Sequence, residues 1–159
     1  MKPLRYDFEI HQGSTFSITL TKYANANLIN RGTWSSLTTY SVDDVVVWKG
    51  VIYKCILAHT TAYEPPNVTY WGSVTPQDLS TSTFSAKIRT DYDDEDALAT
   101  FTIAYVTDGT DGKIALSLTA AQTAALDFSK AVYDLEVTTG STVDKWLTGK
   151  VILRKEATY

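Results

Sequence analysis

The sequence predicts an all-β fold: a small antiparallel β-sandwich of about seven strands, with one short helix and an inserted aromatic-rich β module. Three observations carry this expectation. Apolar residues recur at every second position through most of the chain, the spacing that turns one face of a strand toward a core. Turn pairs containing glycine separate the alternating runs. Three of the four tryptophans and the Pro65-Pro66 pair crowd into residues 33–75, while the regular alternation lies on either side.

The elements follow in order. Tyr6, Phe8 and Ile10 alternate with Asp7 and Glu9, and Phe16, Ile18 and Leu20 alternate with Ser17 and Thr19. Gly13-Ser14 between them predicts a hairpin. The alternation resumes at Phe84, Ala86 and Ile88, then at Phe101, Ile103 and Tyr105, then at Ile114, Leu116 and Leu118. Between the last two runs, VTDGTDGK at 106–113 offers two Asp-Gly pairs, which tolerate the positive φ of a tight connection. AVYDLEV at 131–137 and KWLTGKVILRK at 145–155 supply the final strands. One segment departs from this period. In LTAAQTAAL, Thr119 is an N-cap, Gln122 completes a capping box and the alanines favour helix, so a short helix over 119–126 is expected to cross from one sheet to the other. The sandwich domain is then discontinuous, 1–32 with 76–159, and the inserted domain is 33–75.

At 159 residues the chain is long enough to bury a core, and its apolar share of 44% is ordinary for a globular protein. Its formal net charge is −4, with Lys and Arg scattered along it, so no basic field favours nucleic acid as a partner. No run approaches the roughly 18 apolar residues of a spanning helix, and MKPLRYDFEIHQG lacks the features of a secretion signal. Cytoplasmic synthesis without membrane insertion is expected. Cys55 is the single cysteine, without a zinc-spaced partner set, and is expected as a small buried hydrophobe.

No nucleophile, base and orienting acid fall into a recognisable motif. His11 lies in the first strand and His59 in the aromatic stretch. The acidic run DYDDEDA at 91–97 lacks the glycine and spacing of an EF-hand, so a solvated hairpin tip is expected there, with a calcium loop as the alternative. Asp108 and Asp111, each next to a glycine, read as turn residues. No cofactor, metal or enzymatic activity is expected.

The aromatic stretch admits two readings. Trp34, Tyr40, DDVVVWKG, VIYKC, Pro65-Pro66 and Trp71 describe a two- or three-stranded curl of about 40 residues, too small for an aliphatic core, so large rings must supply the buried area. Alternatively, the rings form a platform for a sugar. Trp34, Tyr40, Asp44, Val45, Trp48, Gly50, Tyr53, Pro65 and Trp71, in this order and spacing, resemble the chitin-binding type 3 modules of carbohydrate-binding module family 5/12. The resemblance implies a sugar-binding face with an exposed aromatic pair shortly after Tyr53. Here that stretch is Ile56-Leu57-Ala58-His59. The rings then serve as scaffold, or a relocated carbohydrate site draws on Trp48, His59, Tyr63, Tyr70 and Trp71.

The outer segments, read as one piece, resemble a small β-sandwich of tailed-bacteriophage virion proteins, similar to the N-terminal domain of upper baseplate proteins. Gly13, Ile88, Arg89, Asp111, Gly112, Thr123, Tyr133, Asp134, Leu135, Gly149 and Thr158 carry it. The resemblance implies a structural virion component at a baseplate, tail, neck or head surface, made in the host bacterial cytoplasm. Its implied partners are other virion subunits, further copies of itself and, through an outward-projecting module, a host glycan. A glycan-binding adhesin that attaches the particle to cell-surface polysaccharide is the alternative function.

Overall fold

The computed structural model describes residues 3–24, 29–60 and 63–156, with the backbone alone at residues 29 and 30. Thr158 of the sandwich pattern lies outside the described residues. In chain order the strands are β1 (Leu4–Arg5), β2 (Phe8–His11), β3 (Phe16–Thr21), β4 (Ile29–Thr33), β5 (Asp44–Trp48), β6 (Val51–Cys55) and β7 (Trp71–Ser73). Then come β8 (Ser82–Arg89), β9 (Ala99–Thr100), β10 (Thr102–Tyr105), β11 (Lys113–Leu118), helix α1 (Ala120–Ala124), β12 (Lys130–Thr139) and β13 (Thr142–Arg154). The all-β expectation holds. The chain divides into two compact units, Met1–Lys22 with Asp78–Tyr159, and Tyr23–Gln77.

The first unit has two sheets. The larger has the order β1-β13-β12-β8-β9, with β2 also on β13; the smaller has the order β10-β11-β3. Alternation decides what they bury: Ala131, Tyr133, Leu135 and Val137 of β12 and Ile114, Leu116 and Leu118 of β11 point into one core. Each such aliphatic side chain contributes on the order of 1.5–3 kcal/mol through burial. The pairing of β12 with β13 slips between Leu135 and Glu136, leaving Trp146 without an opposite residue. Trp146 and Leu147 are accordingly both buried.

The turn signals succeed where the connection is local. The Asp-Gly loop joins β10 to β11 as an antiparallel hairpin, with Gly109 and Gly112 at φ of +88° and +69°. Thr119 and Gln122 make both hydrogen bonds of the capping box, and α1 carries the chain from the smaller sheet to the larger. The expected hairpin at Gly13-Ser14 is corrected: β2 pairs with β13 in the larger sheet, whereas β3 pairs with β11 in the smaller. The turn is therefore a corner between sheets. The long β13 leaves a free edge that β1 and β2 fill in parallel, a pairing that alternation does not encode.

A close approach locks that edge. Tyr133 donates its hydroxyl to the Tyr6 carbonyl at 2.7 Å, and Asp7 accepts the Lys150 amide at 2.8 Å. A Cβ on Gly149 would lie 2.0 Å from the same carbonyl, so only glycine fits. Burial raises the Tyr133 phenol well above its ordinary value, keeping it a donor.

The second unit holds a four-stranded sheet in the order β4-β5-β6-β7, more than the two or three strands expected. The addition is β4, which lies parallel to β5 and lacks alternation. β5 and β6 form a hairpin that turns at Lys49 and Gly50 with φ of +49° and +79°. The core is Tyr40, Val46, Cys55 and Trp71, with Trp34, Tyr53 and Tyr70 packed against it. Cys55 is fully buried, which pushes its thiol up. Asp44, also fully buried, accepts Arg31 Nε and the Ser41 amide, each at 2.9 Å.

Candidate functional site

The second unit's cavity of about 440 Å³ is built on the segment that follows β6. Tyr40 and His59 exchange backbone hydrogen bonds of 3.1 and 3.0 Å, fixing that segment against the start of the unit. Asn67 shapes the opposite wall. Its carbonyl accepts the amides of Tyr70 and Trp71, and its side-chain oxygen accepts the Thr69 amide. Tyr70 is thereby placed flat on Tyr63, with ring centroids 3.9 Å apart and planes 8° from parallel. A hydrogen bond with Tyr63 raises the Tyr70 phenol above its ordinary value. Thr39, Ser41 and Thr60 add hydroxyls to the cavity, while Leu57 and Ala58 add apolar surface.

The candidate residues separate by exposure. His59, Tyr63 and Tyr70 line the cavity, and Tyr63 and Tyr70 are half-buried. Trp71 does not present a face to a ligand: it is 3% exposed, its indole N–H donates to the Tyr63 carbonyl at 2.6 Å, and its ring meets Tyr40 edge-on. It is a core residue, corrected by its position beside Cys55 on the inner side of the sheet. His59 is 7% exposed, with Tyr40, Tyr63, Tyr70 and Trp71 around its ring at centroid distances of 5.0–5.8 Å. Its Nδ1 lies 2.9 Å from the Leu57 carbonyl, which also accepts the Cys55 thiol at 3.2 Å.

Trp48 does not line this cavity. It lies at the tip of the β5–β6 hairpin, edge-on to Trp34 at 4.9 Å, with the Lys49 ammonium 5.1 Å from its ring centroid. Lys49 also approaches Glu64 at 3.7 Å. Ile56 and Leu57, which occupy the stretch expected to carry the exposed aromatic pair, are 43% and 49% exposed. The position stays on the surface with its rings replaced by aliphatic side chains. Sequence reasoning passed over the hydroxyls of Thr39 and Ser41, for which no motif gave a signal.

The other chemistry weighed from the sequence has the following setting. In the acidic run, Asp91 and Asp94 accept the amides of Tyr92 and Asp96, as turn residues do. Arg89 donates to the Asp94 carbonyl beneath them. Among the described residues no group of three or more His, Cys, Asp or Glu is placed to hold a metal ion. Among them, too, no helix is long and apolar enough to cross a membrane.

Residues 33–73, about a quarter of the chain, match the model of carbohydrate-binding module family 5/12. The match spans Tyr40, Leu57, His59, Tyr63 and Tyr70. No curated protein matches the chain.

Proposed function

We propose that the chain is a non-enzymatic carbohydrate-binding protein in which the Tyr23–Gln77 unit binds saccharide and the β-sandwich carries it. The observation that supports this best is the Tyr63–Tyr70 pair, half-exposed beside Leu57 and the hydroxyls of Thr39, Ser41 and Thr60, inside the stretch that matches the family. A pyranose has an apolar C–H face and a hydroxylated rim, and a ring flanked by hydroxyls complements both. Retention on insoluble chitin and on peptidoglycan tests the proposal, with a folded Tyr70→Ala variant beside the native chain. Retention that drops about tenfold on loss of the ring is expected, the scale of one well-placed aromatic contact. Failure of the native chain to bind any of these polymers would contradict it.

A finer reading makes the sandwich a subunit of a tailed-bacteriophage particle that the module attaches to host polysaccharide. The specific observation in its favour lies at the edges of the smaller sheet. Among the described residues, β3 (FSITLT) and β10 (TIAY) each pair on one side only, and neither carries a charged residue. Edges lacking charge, proline or a bulge are the ones that pair with further strands. Sedimentation of the purified chain tests this reading: a ring or other closed oligomer is expected, and a strict monomer that binds no virion subunit counts against it.

A further inference from the structure

We infer that His59 is the polar anchor of this site, its Nε2 accepting a hydrogen bond from a hydroxyl of a neutral saccharide that binds against Tyr63 and Tyr70. The inference rests on the carbohydrate-binding reading above.

The argument begins with the tautomer. A carbonyl oxygen only accepts, so Nδ1, 2.9 Å from the Leu57 carbonyl, must carry the proton. In the neutral imidazole the lone pair is then on Nε2. That atom is buried and meets no hydrogen-bond partner among the described residues. The ring as a whole is 7% exposed. A buried acceptor without a donor has lost its water and gained nothing in return.

The surrounding rings do not supply the donor. The Tyr40 hydroxyl donates to the Ser35 carbonyl, the Trp71 indole donates to the Tyr63 carbonyl, and neither the Tyr63 nor the Tyr70 phenol is placed to bond Nε2. Aromatic faces are electron-rich and offer nothing to a lone pair. Trp34 Nε1 is also buried and, among the described residues, unpartnered, but its ring does not line the cavity. With no donor left for His59 among the described residues, the geometry assigns that donor to what enters the cavity. The lining includes Thr39, Ser41 and Thr60 and no lysine or arginine, so the entrant is an uncharged polyol rather than an acidic glycan. Nε2 is shielded, so the cavity lining shifts for a hydroxyl to reach it.

The test is ¹⁵N NMR of the full chain labelled at histidine, titrated with chitotetraose, cellotetraose and solubilised peptidoglycan. The exposed His11 is an internal reference. The expected result is a free His59 with Nδ1 protonated and Nε2 bare, whose Nε2 resonance moves toward the hydrogen-bonded position as one saccharide saturates. In parallel, His59→Gln, which keeps an acceptor, should retain most of the affinity, and His59→Leu should lose about tenfold. Saturable binding that leaves Nε2 unmoved would overturn this inference and leave the binding reading intact. A free protein with Nε2 already protonated or hydrogen-bonded would overturn it too. No binding by any of the three would overturn both.

Discussion

The sandwich and the module bury their interiors by different means. In the sandwich, the core is spread over many aliphatic positions of β8, β11, β12 and β13, each one member of an alternating series. In the module, four buried residues form the centre, two of them Tyr40 and Trp71, and further rings close around them. A unit of this size lacks the strand length for an aliphatic interior, so each ring carries a large share of the burial. The difference teaches that aromatic residues in a small unit cannot be assigned to binding by type. Exposure separates them: Trp71 faces inward, while Tyr63 and Tyr70 keep ring surface at the cavity.

The largest expected effect comes from breaking the module's centre. Trp71→Ala should cost about 3–5 kcal/mol, the range for a buried aromatic truncated to alanine. Amide exchange should show protection lost in residues 44–55 while β12 and β13 keep theirs; equal loss in both units would show that they do not fold separately. On the sandwich side, Gly149→Ala forces a Cβ against the Tyr6 carbonyl and should cost about 1–3 kcal/mol or more. An unchanged melting temperature would show that the β1–β2 edge is not locked as described.

Thr119→Ala removes the N-cap acceptor of α1 and should cost about 1 kcal/mol, read from urea denaturation. The smallest effect is on pH dependence. Asp7, Glu9 and Asp127, all in the sandwich, are held below the usual carboxylate values by hydrogen bonds from Arg5, Arg154 and Lys155. A depressed carboxylate stabilises the fold above its unfolded value, and that contribution is lost as pH falls through the folded one. The sandwich should therefore soften as pH drops below the ordinary 3.8–4.5 of these groups. The effect is small because these pairs are exposed. Arg154→Gln should reduce the slope of stability against pH in that range, and an unaltered slope would remove Glu9 from the account.

The sequence was most informative where structure is set by neighbours. Period-two alternation identified Ala86, Ile88, Ile114 and Leu116 as one-faced, and local hydrogen bonding made the capping box and the Asp-Gly hairpin readable. It was least informative where partners are distant. Nothing near Phe8 and Ile10 says that they lie beside Val151 and Leu153 rather than across a hairpin from β3. Gly149 owes its constraint to Tyr6, more than a hundred residues away.

The same division holds at the candidate site. The rings and their spacing were legible between Trp34 and Trp71, but which of them face the cavity depends on how β6 and β7 pair and on the turn at Asn67. The pairing directs Trp71 inward beside Cys55, and Tyr70, one residue earlier, stacks on Tyr63. Among the described residues the Nε2 of His59 is unpartnered, which depends on the Leu57 carbonyl and on the rings packed around it, and no pattern of residues records this.

The central claim is that the Tyr63–Tyr70 surface binds saccharide, and calorimetric titration of the full chain tests it most directly. Native protein and folded Tyr70→Ala would each be titrated with chitotetraose, cellotetraose and solubilised peptidoglycan. The account predicts saturable heat with at least one of them and about tenfold weaker binding in the variant. Equal affinity in the two proteins, or no heat from either, would contradict it.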